Sequence, residues 1–248
     1  MQTRKRCQMI GVRTTTPPWV ALGMSALLLA GAGCTTTPRR TGSGGQITQW
    51  AVYRPAGPER PHPTLTLSEA LRHGDSGLGF LDPLDGELVI EKGKGYQIRA
   101  DGNVHHPPPT ARLGTAIVYP FRLDRALRMP ADASLEAFKR ALDELAPDAG
   151  ALSTFRLVGR FDWLEVSAPT PSRLPLVGLT RRKRRLERVS GVITGMRLPE
   201  SAPGLHAPGL HMVFLSHDRL NGGRVSDFAL LDGTLEVHLP DRLLYIQP

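Results

Sequence analysis

The chain is 248 residues long, 40% hydrophobic and 22% charged, enough apolar side chain for one large or two small domains with a proper core, which excludes a disordered polypeptide. Its formal charge of +8 does not by itself point to nucleic acid: Arg4, Lys5, Arg6 and Arg13 lie in an N-terminal segment without acidic residues, and half of the excess goes with them. The two cysteines, Cys7 and Cys34, both fall in that segment, so the body of the protein has neither a disulfide nor a thiolate metal ligand, and any metal must rest on His and carboxylates.

Residues 1–34 read as an export signal. The four cations come first, and an apolar run from Trp19 to Gly33, containing "ALLLAGAGC", follows; it is too short to span a bilayer comfortably. Small residues stand immediately before Cys34, so the segment resembles a bacterial lipoprotein signal in which Cys34 becomes the lipidated first residue. Gly31 departs from the larger aliphatic residue usual three places before that cysteine, which keeps ordinary cleavage, with a secreted or periplasmic product, open as the alternative. The expected location is the cell envelope, with the membrane as a partner through Cys34. Residues 35–45, "TTTPRRTGSGG", make a flexible tether.

The folded part is expected from Gln46. "ITQWAVY" alternates as a strand and "RPAGPERPHP" is a proline-rich loop. In "TLSEALRHG", Thr66 is an N-cap, Glu69 completes a capping box and Gly74 lies beyond the last turn. From Gly77, apolar segments split by Gly and Asp turns give a β-meander, and "LGTAIVYPFRL" is a buried strand. The clear longer helix is "SLEAFKRALDELA", capped by Ser134, with Leu135, Phe138, Ala141, Leu142 and Leu145 on one core face.

"STFRLVGRFDWLEVSAP" reads as a strand and its return, and "TRRKRR" as a solvated loop able to touch anionic lipid headgroups. "VSGVITGMRL", "GLHMVFLS", "GRVSDFALLDG" and "TLEVHL" make the last third nearly all strand and turn. The fold class is therefore α+β, in an N-terminal mixed-sheet domain over 46–150 and a β-rich domain over 151–248, without an internal repeat. No G-x-S-x-G elbow, phosphate-binding loop or dinucleotide fingerprint occurs.

Three segments in one order carry a resemblance: "LRHGDSGLGFLDPLDGELVIEKGKGYQIRADG", "FRLVGRF" and "GVITGMRLPESAPGLHAPGLHMVFLSHDRLNGGRVSDF". From about Gln46 onward the chain resembles the α-acetolactate decarboxylases, zinc enzymes that convert α-acetolactate to acetoin and carbon dioxide. The resemblance implies a two-domain fold with a mixed sheet in each part, often a homodimer, and a zinc ion on three histidines: two in an H-x-H strand and one after a Gly-Gly turn. The pattern is chemically sensible, because side chains two apart on a strand share a face and a returning hairpin strand brings in the third.

Here His211 stands at the first of these places, Val213 at the second and Arg224 at the third. Valine cannot ligate, and a guanidinium offers no lone pair and repels a cation. By resemblance, Glu87 in "LDGE" matches an acid near the metal, and Arg156 in "FRLVGRF" an arginine that meets the substrate carboxylate. Phe80 replaces a usual threonine, "SAP" at 167–169 lacks an arginine often found there, and a further glutamate of the family lies in a tail beyond the position of Pro248.

Two readings stay open at His211, a pocket histidine kept by descent and a ligand in a rebuilt site. His217 stands about 20 Å along the strand, too far to share its ion, and His206 lies on the opposite face if the strand runs through. His105 and His106 read as loop surface. Glu87 is either substrate-facing or paired with Arg156 or Arg224. The leading expectation is an envelope member of the family with zinc and decarboxylation lost or strongly reduced, no cofactor, and a pocket for a small carboxylate around Glu87, Arg156, His211 and Arg224. The alternative keeps zinc and turnover through a rearranged site. Neither reading has a nucleic-acid partner.

Overall fold

The structure, a computed structural model, describes residues 7–11, 45–51, 65–171, 180–201 and 208–246. In chain order come β1 (Cys7–Gly11), β2 (Gln46–Ala51), α1 (Leu67–Leu71), β3 (Ser76–Leu81), β4 (Glu87–Glu91), β5 (Lys94–Ile98), β6 (Val104–His105), β7 (Leu113–Tyr119), β8 (Arg125–Met129) and β9 (Ala133–Ser134). Then follow α2 (Leu135–Leu145), β10 (Ser153–Pro169), β11 (Arg181–Leu198), β12 (Gly209–Ser216), β13 (Gly222–His238) and β14 (Arg242–Ile246). No helix among the described residues is long and apolar enough to cross a membrane.

Strands β1, β14, β2, β7, β3, β4, β5 and β6 form, in that order, one sheet, mixed because β14 runs parallel to β2. The second sheet runs β10, β11, β12, β13, β8, and its further β10–β13 pairing brings the strand order back on itself. The α+β reading holds, with two helices among many strands. The sheets do not divide the chain at residue 150. β8 and β9 pair with β13 in the second sheet, and β14 returns to the first. The β1 strand comes from the segment read as an export signal and pairs with β14.

Period-2 alternation assigns the cores. On β4, Leu88 and Ile90 face α1, whose Leu67 and Ala70 pack in the same cluster, whereas Val89 faces the second sheet. Between the sheets, Ile47, Val89, Ile98 and Ile117 of the first meet Val192, Met196, Val213 and Leu215 of the second. The opposite face of the second sheet packs Phe155, Leu157, Phe214 and Leu235 against Phe138, Ala141 and Leu142 of α2. Burial of Phe138 or Leu142 stabilises this layer by about 1.5–3 kcal/mol each.

Both helices start as their sequences require. Thr66 Oγ1 accepts from Glu69 N–H at 3.3 Å, and Glu69 Oε2 accepts from Thr66 N–H at 2.9 Å, a reciprocal capping box. Ser134 Oγ caps α2 by accepting from Ala137 N–H at 3.3 Å.

The expected turn within 153–169 is absent, since β10 is a single strand of 17 residues, and β11 and β13 likewise run through the places read as loop or break. Gly191, Gly159 and Gly233 face one another across three strands in register. A Cβ on Gly159 would lie 3.0 Å from Gly233 Cα, so these glycines allow close backbone approach rather than reversal. The basic run is the first stretch of β11, paired residue by residue with 165–169, and not a loop.

Candidate active site

The strand registers build the site in rows. On the face of the second sheet that meets the first, His211, Met196, Thr154 and His238 lie side by side, and the next row is Val213, Thr194, Arg156 and Glu236. Arg224 pairs with Val213 across the β12–β13 hairpin. The three places that the resemblance assigns to zinc ligands are thus brought together as strand periodicity requires.

Opposite them, β4 presents two carboxylates, Glu87 and Glu91, on the same face, four residues and so about 13 Å apart along the strand. The turn before Glu87 needs its glycine: Gly86 has φ +90°, and a Cβ there would overlap the carbonyl oxygen of Ile98. Both acids are buried, and each meets arginines from the second sheet, so desolvation of the carboxylates is offset by charge-assisted hydrogen bonds.

At Glu87, Arg181 Nη2 donates to Oε1, and Arg224 Nη1 lies 3.9 Å from the same oxygen. Arg181 Nε also donates to Ser167 Oγ at 3.1 Å. Arg224 Nη2 is 2.7 Å from His211 Nδ1. A guanidinium can only donate, so Nδ1 accepts and the buried His211 ring is neutral, with its proton on Nε2. Glu87, His211 and Arg224, three of the four residues expected around one pocket, form one cluster together with Arg181.

Arg156 stands in a second cluster. Its Nη2 donates to Glu91 Oε1 and its Nη1 to Glu236 Oε2 at 3.3 Å, while Thr194 Oγ1 donates to Glu91 Oε2 at 3.2 Å. Phe121 lies 5.4 Å from the guanidinium carbon. Glu87 therefore pairs with Arg224, one of its two expected partners, and not with Arg156. Beside this cluster, burial first and the charge of Glu91 second hold the Tyr119 hydroxyl well above the usual range, so it stays a neutral donor to the Gly195 carbonyl at 3.4 Å.

A cavity of about 330 Å³ opens next to Arg156, lined among others by Glu91, Lys92, His217, Arg219 and Glu236. A neighbouring one of about 380 Å³ shares Val158, His217 and Thr234 with it. His217 thus lines these cavities, past the end of β12, and is separated from His211 as the spacing predicts. His105 departs from the loop reading: it is half-buried on β6 and pairs with Gln97, while His106 is exposed and packs 5.1 Å from Tyr96. His206 and Cys34 lie outside the described residues.

Part of the basic run is held within the fold. Arg181 is bound to Glu87, Arg184 donates to Asp101 O at 2.6 Å, and Arg185 lies 4.2 Å over the Trp163 ring. Arg182, Lys183 and Arg185 remain exposed.

The residues present do not fit the zinc ion of the family. Val213 is 2% exposed and packs in the inter-sheet core, His211 Nδ1 is engaged by Arg224, and two guanidiniums surround the remaining carboxylate. Among the described residues, no group of three or more His, Cys, Asp or Glu side chains is placed to hold a metal ion. Arg181, Glu91, Thr194 and Glu236 were missed in the sequence. Arg181 was hidden by being read as loop: residues 181–185 are uniformly basic, without the apolar–polar alternation that marks a strand.

Comparison with known proteins follows the same lines. The family model for alpha-acetolactate decarboxylase matches residues 61–247. Alpha-acetolactate decarboxylase of Methylococcus capsulatus is 31% identical over 177 residues, 69% of this chain and 68% of that protein. The Klebsiella aerogenes protein of the same name is 28% identical over 181 residues, 70% of each. The crystal structure of alpha-acetolactate decarboxylase from Bacillus subtilis strain 168 superposes with a TM-score of 0.74 at 25% identity, covering 82% of this chain and 89% of that one. The fold, the matched family model and the length of the match give one conclusion: this chain belongs to the alpha-acetolactate decarboxylase family.

Proposed function

We propose that this is an acetolactate-decarboxylase-like protein of the cell envelope in which a guanidinium has taken the place of the metal. Zinc-dependent decarboxylation is lost or strongly reduced, and a pocket for a small carboxylate is retained. The carrying observation is the 2.7 Å contact of Arg224 Nη2 with His211 Nδ1, at two of the three places where the family resemblance sets imidazoles on zinc. The decarboxylase needs a Lewis acid to polarise the substrate oxygens and take up the electrons released as carbon dioxide leaves. In this chain, Arg224 supplies a fixed positive charge instead, with no open coordination position. Such a charge can orient an anion, but it withdraws electrons far less than a divalent ion.

Zinc content of the purified domain by elemental analysis, together with acetoin formation from α-acetolactate, tests the proposal. The expected result is far less than one zinc per chain and turnover near the uncatalysed rate. One zinc per chain with turnover abolished by His211→Ala would instead establish the retained decarboxylase with a rearranged metal site.

The envelope location rests on the cations, apolar run and small residues ahead of Cys34. Labelled palmitate should enter the protein in a bacterial host and be lost in Cys34→Ala. Release of a soluble, unlabelled product from the parent would select ordinary cleavage.

A further inference from the structure

We infer that Arg181 and Arg224 together form a two-guanidinium site for a small oxyanion, and that Arg181, rather than Arg156, is its second binding group. The inference rests on the preceding reading that a guanidinium has replaced the metal, and it names which residues bind. Both arginines converge on a single oxygen of Glu87, Oε1. Two positive charges against one carboxylate, beside a neutral His211, leave the cluster with one uncompensated positive charge. Glu87 is 3% exposed, whereas the side chains of Arg181 and Arg224 are 23% and 33% exposed, so the acid is sealed beneath and the cations are open to an incoming anion.

Donor capacity points the same way. A guanidinium carries five N–H groups in a planar fork. Arg181 uses Nε on Ser167 and one hydrogen of Nη2 on Glu87; Arg224 uses one hydrogen of Nη2 on His211 and approaches Glu87 only at 3.9 Å. Among the described residues, the N–H groups left without an acceptor include Nη1 of Arg181 and Nε of Arg224. Arg156 is different: two carboxylates hold its Nη atoms, its Nε is buried without a hydrogen-bond partner among the described residues, and its charge is already exceeded by Glu91 and Glu236. An oxyanion entering the cavity beside Arg156 would meet Lys92 and Arg219 but also the two acids that already hold Arg156, whereas one entering at Arg181 and Arg224 meets two cations and one already paired acid.

The origin of Arg181 explains why the chain can do this. Residues 167–169 carry no arginine, but β11 pairs antiparallel with them, with Pro169 opposite Arg181, and the side chain returns over Ser167 to reach Glu87. A neighbouring strand delivers a guanidinium where its partner strand offers none.

The test is titration of the whole chain with acetate and, separately, inorganic phosphate, read by calorimetry and by the Arg side-chain NMR signals, with zinc content measured on the same samples. Saturable binding of at least one probe is expected, weakened tenfold or more by Arg181→Gln and by Arg224→Gln. Arg181→Lys should recover part of the affinity, and Arg160→Gln, at an exposed arginine outside the cluster, should leave it unchanged. Binding of acetate alone, phosphate alone or both identifies the oxyanion. No saturable binding to the parent protein, or binding indifferent to Arg181→Gln, overturns the inference. Stoichiometric zinc in the parent overturns instead the reading beneath it, so the two failures are distinguishable. If Arg181→Gln is unfolded, Arg181→Lys and the chemical shift of the Arg181 Nε signal on titration decide the matter.

Discussion

At the scale of single residues, the site is governed by what each buried carboxylate is paired with. Glu91 is buried and held by Arg156, so Arg156→Ala leaves an uncompensated charge between the sheets. The expected cost is about 3–5 kcal/mol in urea unfolding, with little change in oxyanion affinity; a loss below about 1 kcal/mol would mean that solvent already reaches Glu91. Glu87 has a different consequence. Restoring imidazoles by Val213→His with Arg224→His leaves Arg181 bound to the nearby acid, still presenting a positive charge to any incoming cation. The double variant should therefore bind zinc weakly, and adding Arg181→Gln should tighten binding tenfold or more, the size of effect seen for groups around metal ligands. Equal zinc affinity in the double and triple variants would show that Arg181 does not oppose the metal. Glu87, Arg156, His211 and Arg224 were legible in the sequence because each sits in a local motif. Arg181 and Glu236 were not, because their roles come from register between strands remote in sequence, and a motif carries no register.

At the scale of elements, α1 shows how much of the fold local chemistry specifies. Its capping box was readable from Thr66 and Glu69, and both bonds are present. Thr66→Ala should cost about 1 kcal/mol. Just past the helix, His73 Nδ1 lies 3.2 Å from Thr48 Oγ1 and its ring packs edge-on to Trp50 at 4.7 Å. Burial first, and the charge of Arg72 second, lower its pKa below 6.5. The unfolded chain then binds this proton more readily than the folded one, so the contribution of His73 is complete above pH 6.5 and is lost as pH falls towards its folded pKa. Unfolding midpoints between pH 7.5 and 5 should fall less steeply for His73→Gln than for the parent, and identical slopes would remove His73 from the account. The long strands were less legible than the helices. Gly159, Gly191 and Gly233 look like turn residues one at a time, and only their alignment across β10, β11 and β13 shows that they serve close strand packing.

At the scale of the whole molecule, the two sheets are joined by one apolar layer edged by the two carboxylate–arginine clusters, and by chain exchange: β8 and β9 pair with the second sheet and β14 with the first. This exchange was invisible to a reading that cut the chain at residue 150, because strand partners separated by nearly two hundred residues leave no local trace. It makes β14 structurally weighty for its length. Its parallel pairing with β2 runs from Arg242 beside Gln46 to Ile246 beside Trp50. Leu243 packs on the inter-sheet core and Ile246 on the core beneath α1, so one short strand closes two clusters. On its other edge β14 carries β1, which the proposed export step would remove. The two edges should therefore differ in consequence. Deleting residues 242–248 strips two half-buried apolar side chains, worth on the order of 1 kcal/mol each, and uncovers the β2 edge, so the urea midpoint should drop sharply or the transition lose cooperativity. Deleting residues 1–34 should leave midpoint and slope nearly unchanged, because the processed protein would present β14 as its edge strand. If the N-terminal deletion is as damaging as the C-terminal one, β1 is an integral strand of the folded protein, and the segment that contains it is not a signal removed during export.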